Sequence, residues 1–138
     1  MLDIHDNQIM GYEVELCESK IVVHTCTRYL SGNYRDGYND KKDIIFTDVF
    51  ASDFENGLKD SIIFGIDIYK IEFFLTHNKE LLNRQKAYHW PCKYENLDQL
   101  LGILIDKNLV YYVISSSNGL SGWILAKSYE IIEIVDTK

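Results

Sequence analysis

The chain has 138 residues and a formal charge of −7, with 46% hydrophobic, 25% charged and 13% aromatic side chains. Such length and apolar content suit one domain with its own core and exclude a disordered chain, and the acidic balance argues against direct binding to a nucleic-acid backbone, whose affinity comes from lysine and arginine releasing counterions. The amino end, "MLDIHDNQIM", lacks lysine, arginine and any apolar core, and "LVYYVI" is too short to cross a bilayer, so a cytoplasmic protein without membrane contact is expected.

In chain order, "GYEVELC" and "KIVVHTCT" alternate around Glu18, Ser19 and Lys20 and predict a hairpin whose core face holds Tyr12, Val14, Leu16, Ile21 and Val23. "RYLSGNYRDGYNDKKD" has two glycines and no periodicity, which marks a loop. "IIFTDVFASDF" alternates as a strand, and "SIIFGIDI" is a buried strand by its β-branched content. Ile68, Ile71, Phe74, Leu75 and Leu82 then recur at helical spacing as far as about Arg84. Asn96 and Gln99 have capping-box spacing ahead of a second helix with Leu97, Leu100, Leu101, Leu104 and Ile105 on one face. The tail returns to strands at "LVYYVIS", "WILA" and "YEIIEI", with a turn at "SSNGLSG".

Strands, then helices, then strands imply an α+β fold: an antiparallel or mixed sheet of about six to seven strands with two helices packed on one face, in a single domain over residues 1–138. The chain has neither a dinucleotide-binding glycine fingerprint nor a Walker-type loop, so phosphate cradling has no support and no cofactor is expected.

Cys17, Cys26 and Cys92 form an odd, widely spaced set that predicts reduced thiols and no disulfide framework. As metal ligands, His24, Cys26, His89 and Cys92 match no common zinc spacing. A two-residue hairpin turn at Glu18-Ser19 or Ser19-Lys20 would leave Cys17 on the order of 13 to 20 Å from the ladder position of Cys26, far beyond the reach of one ion. No metal site is expected. In the Ser19-Lys20 register His24 stands opposite Glu15 as an ordinary cross-strand pair, and His77 falls at an exposed position.

"AYHWPCKY" places His89, Trp90, Pro91 and Cys92 between the helices. A nucleophilic Cys92 would need its pKa lowered by a neighbour such as His89, and no third orienting group can be named; Pro91 cannot continue a helix, so a rigid connector packed down by Trp90 is the simpler reading. A small cysteine-dependent enzyme or ligand-binding domain using Cys92 and His89 is the alternative.

Recognition chemistry concentrates in "RYLSGNYRDGY". Tyr29, Tyr34 and Tyr38 alternate with small polar residues, a mix that gives large contact area at low entropic cost. Residues 36 to 67 hold eight acids against three bases, a field suited to steering a cationic partner. Tyr29, Tyr34, Asp36, Tyr38, Asp40 and Asp43 are the candidate partner-binding residues.

Across residues 9 to 135, the hairpin "GYEVELCESKIVVHT", the segment "DIIFTDVFASDFEN" followed by "SIIFGI", the "HWPCKY" connection and the tail "SSSNGLSGWILAKSYEI" resemble the immunity proteins encoded beside polymorphic secreted toxins of Gram-positive bacteria. That resemblance implies a non-catalytic protein that inhibits a cognate toxin, often a basic nuclease domain, by forming a stoichiometric complex. A structural subunit that oligomerises through an exposed strand is a further alternative.

Overall fold

A computed structural model describes residues 4, 7–27, 41–55, 57 and 61–134. In chain order the strands are β1 (Gln8–Glu15), β2 (Lys20–Cys26), β3 (Lys41–Thr47), β4 (Ala51–Glu55), β5 (Ile62–Tyr69), β6 (Val110–Asn118), β7 (Ser121–Ala126) and β8 (Ser128–Ile134). The helices are α1 (Ile71–His77), α2 (Lys79–Gln85) and α3 (Leu97–Asp106), all lying between β5 and β6. The fold is α+β, and every strand pairing is antiparallel within one sheet of order β4-β7-β6-β5-β1-β2-β3-β8.

Only Gln8↔Ile62 pairs β1 with β5, so the sheet divides there into two four-stranded halves. Their inner faces share one core: Ile21, Val23, Ile44 and Phe46 from the first half meet Tyr112, Ile114, Ile124 and Ala126 from the second. The ring of Tyr112 joins them, 5.5 Å from Phe46 and 5.2 Å from Tyr129. Alternate residues of the same strands, Tyr111, Trp123 and Leu125, point the other way into a second core with Ile71, Phe74, Leu82, Leu100 and Leu104. This double burial accounts for the unbroken apolar run "LVYYVI" in β6.

Local chemistry explains where the element count departs from expectation. "IIFTDVFASDF" is two strands: Asp48 turns to φ 53°, and the next two backbone N–H groups leave the ladder for Ser19 O and Leu125 O, both at 2.8 Å. The chain thereby crosses from the first half of the sheet to the second. The first helical run is likewise two helices, because Asn78 takes φ −117° and ψ 27° and its side chain donates to Phe74 O at 3.1 Å, an acceptor a continuous helix would share only with the main chain. Ile68 belongs to β5 and is exposed, as is Ile105 of α3. The Asn96 half of the capping box forms as its spacing implies, with Asn96 Oδ1 accepting from Gln99 N–H at 2.8 Å, while Gln99 Oε1 reaches one residue past the N-cap and accepts from Glu95 N–H at 2.6 Å.

The first hairpin exists with a different tip. Glu15 pairs with Lys20, leaving a turn of Leu16, Cys17, Glu18 and Ser19 instead of two residues, closed by the φ of 53° at Ser19. Ile21 and Val23 are buried as expected, but Tyr12 and Val14 are each 43% exposed and Leu16 is 85% exposed. Tyr12 stacks on the Phe54 ring at 4.7 Å, Val14 lies beyond the single pair that joins β1 to β5, and Leu16 falls in the turn.

Candidate binding surfaces

Of the sequence candidates, Tyr29, Tyr34, Asp36, Tyr38 and Asp40 lie outside the described residues. Asp43 is on β3, opposite His24 of β2, and the four-residue hairpin turn also sets Gly11, rather than Glu15, across from His24 on its other side. His24 Nδ1 is 2.8 Å from Asp43 Oδ1 and Nε2 is 3.6 Å from Glu13 Oε2. The bond to Asp43 is the main reason the imidazole holds its proton above the ordinary histidine range; partial burial opposes it, and the charges of Asp43 and Glu13 add to it. Asp43 is therefore committed to an intramolecular pair.

The register fixes what surrounds that pair. One cross-strand row on the outer face runs Gly11, His24, Asp43 and Ile132, and the next runs Glu13, Val22, Ile45 and Glu130. Val22 is buried, and Ile45 and Ile132 are partly exposed. No residue of β1, β2, β3 or β8 belongs to the helical core, which packs on the other half of the sheet. Glu13 escaped the sequence reading because the Ser19-Lys20 register put Glu15 across from His24; in the observed ladder Glu13 pairs with Val22 and reaches His24 diagonally.

The connector between α2 and α3 has a structural geometry. His89 is exposed at φ 56°, the Trp90–Pro91 peptide is cis, and the half-buried Trp90 ring meets Trp123 edge-on at 6.1 Å. Cys92 packs against the helical core, and desolvation pushes its thiol up, partly countered by Lys107. A thiolate nucleophile needs the opposite shift. Among the described residues no hydrogen bond joins His89 to Cys92, and no three His, Cys, Asp or Glu side chains are grouped to hold a metal ion. Cys26 is buried with its thiol likewise pushed up by desolvation, and Cys17 is exposed in the hairpin turn.

His77, expected to be isolated, instead approaches the hydroxyl of buried Tyr111 through Nδ1 at 3.1 Å, and Asn78 Nδ2 donates to the same oxygen at 3.4 Å. The pair ties α1 and its C-terminal break to β6.

A groove of about 430 Å³ opens between the β1–β2 turn and the corner from β3 to β4. Its apolar walls come from Val14, Leu16 and Ile21 on one side and from Val49, Phe50 and Trp90 on the other. Val49 N–H donates to Ser19 O at 2.8 Å and fastens the two walls at the base of the turn. Glu15 and Lys20 line the rim, Glu18 hydrogen-bonds to Glu15, and Lys107 Nζ stands 5.4 Å from the Phe50 ring centre. The hydrogen bond and then the charge of Glu18 hold the Glu15 carboxyl above its usual range, against the attraction of Lys20. Strand alternation assigned Val14 and Leu16 to the core, which hid this groove from the sequence.

No helix among the described residues is long and apolar enough to cross a membrane. Comparisons with family models, curated proteins and solved structures find no match to the chain.

Proposed function

We propose that the protein is a non-catalytic inhibitor that binds a cognate toxin stoichiometrically, the partner being a basic protein such as a nuclease domain. The observation that carries this reading is the outer face of β1, β2, β3 and β8, free of helix among the described residues, where the partly exposed Ile45 and Ile132 flank Glu13, Asp43 and Glu130. An apolar centre inside a charged rim is the anatomy of a protein interface, and acids at the rim speed encounter with a cationic partner. The net charge of −7 and the resemblance to immunity proteins support the same reading. Nothing in the Cys92 environment favours the cysteine-enzyme alternative.

The test is direct: the domain encoded by the reading frame beside this gene is purified, and binding and toxicity are measured with and without this protein. A one-to-one complex that abolishes toxicity supports the proposal. A toxic domain that neither binds nor loses activity overturns it. The open-strand alternative keeps one specific observation, since among the described residues Gly65 to Tyr69 pair with β6 on one edge alone. Concentration-dependent self-association lost in an Ile66→Pro variant would favour it.

A further inference from the structure

We infer that the groove at the hairpin tip is an anchor site for an arginine-bearing, otherwise apolar segment of a protein partner. This deepens the proposed function and rests on its premise that the partner is a protein.

Val14, on the core-facing side of β1, is 43% exposed, and Leu16, the first residue of the hairpin turn, is 85% exposed. Left to water, this surface loses the stabilisation that burial would give, about 25 cal/mol for each Å² of apolar area. Its cavity of about 430 Å³ falls in the range of sites that enclose a ligand group. The walls are also held in place. The Ser19–Val49 hydrogen bond, together with left-handed turns at Ser19 and Asp48, leaves the groove formed before anything enters it.

Charge selects the occupant. Glu15 lines the groove with Glu18 hydrogen-bonded to it, and Lys20, directly across the ladder from Glu15, is the single base in the lining. Asp48 precedes Val49 of the opposite wall in the chain, while Lys107 is already engaged over Phe50. An anionic segment would meet the carboxylate pair and gain only Lys20. A purely apolar one would leave the pair unrelieved. An arginine satisfies both parts: its methylene stem lies along Val14 and Val49, and its planar guanidinium bridges two carboxylates and stacks on an indole such as Trp90. Apolar neighbours of that arginine would cover Leu16 and Phe50.

The experiment titrates the full, isotope-labelled chain with two blocked peptides, acetyl-Gly-Leu-Arg-Leu-Gly-amide and its glutamate counterpart, and follows amide and indole resonances. Saturable shifts confined to residues 14–20, 49–52 and the Trp90 indole are expected with the arginine peptide. Binding should be weaker by about tenfold or more for the glutamate peptide and for a Glu15→Gln/Glu18→Gln variant, whose positions are exposed and leave the fold intact. Leu16→Ser, also at an exposed position, should weaken the arginine peptide without abolishing its preference over glutamate. Equal affinity for the two peptides, shifts centred elsewhere, or a double variant that binds like the parent would overturn the assignment. The toxin-binding assay separates this failure from that of the broader reading: a toxin bound equally by parent and double variant removes the groove and leaves the inhibitor standing, whereas a peptide-filled groove in a protein that ignores the toxin does the reverse.

Discussion

His24 Nδ1 and Asp43 Oδ1 are 2.8 Å apart across neighbouring strands, and the same imidazole presents Nε2 to Glu13 at 3.6 Å. Folding raises the proton affinity of His24, so the stabilisation is fully present below the unfolded histidine pKa of about 6.5 and is lost as pH rises through the higher folded value. His24→Gln should therefore destabilise the protein more at about pH 5.5 than at about pH 9. With the ring partly in water, the low-pH difference should be within ~0.2–1 kcal/mol, as for screened ion pairs. Urea unfolding at the two pH values measures it; a cost that grows with pH contradicts the assignment.

Phe74 is fully buried, with its ring 4.9 Å from Trp123 and 5.6 Å from Tyr111. It is the main bond between α1 and the sheet. Phe74→Ala should cost about 3–5 kcal/mol, the usual range for a large aromatic removed from a core. A midpoint shift in urea of a smaller equivalent would mean that the helix layer is loosely held.

Gly122 of β7 sits opposite Phe54 of β4, and a methyl group built on it would stand 2.7 Å from the Phe54 ring and closer still to Asp53 O. Because a backbone atom is among the obstacles, side-chain rotation cannot relieve the clash. Gly122→Ala should destabilise by about 1–3 kcal/mol through overpacking and loosen β4 selectively. Amide exchange at residues 51–55 should accelerate more than in β6 if that is correct.

The cap of α3 offers a milder test. Asn96→Ala removes the acceptor for Gln99 N–H and should cost about 0.5–2 kcal/mol, while Asn96→Asp should retain most of the stability. Cys92→Ala should fall in the lower part of the ~0.5–3 kcal/mol range of point changes and leave partner binding unchanged. Trp90→Ala is expected to weaken peptide binding at the groove as well as the fold, since its ring serves both. Thermal melts and peptide titrations on the same samples separate the two effects.

What could be read from the sequence was whatever depends on neighbours in the chain. The alternation in "KIVVHTC", the capping pair Asn96 and Gln99, and the apolar positions Leu100 and Leu104 rest on local period and local hydrogen bonds, and they appear as expected. The divisions at Asp48 and Asn78 were hidden because each depends on a tertiary or side-chain partner, Ser19 O in one case and Phe74 O in the other. The groove was hidden for a related reason. Periodicity reports which way Val14 points, but a residue is buried only if something stands opposite, and Leu16 falls in the four-residue turn, where the strand period no longer holds. The His24 network needed the register, which a four-residue turn in place of a two-residue one shifts by several positions.

Strands β6 and β7 form a wall with a core on each side, and that has a consequence for how the molecule opens. The helices cannot detach without exposing one face of Tyr111, Trp123 and Leu125, and the two sheet halves cannot part without exposing Tyr112, Ile114 and Ile124 on the other. Loss of either layer removes support from the same main-chain bonds. The amides of Tyr111 to Ile114 and Trp123 to Leu125 should accordingly exchange with solvent only through global unfolding, whereas β8, an edge strand with one partner, should exchange through cheaper local openings. The hydrogen-exchange map would then show a single slow stripe at the middle of the protein, with protection fading outward in both directions.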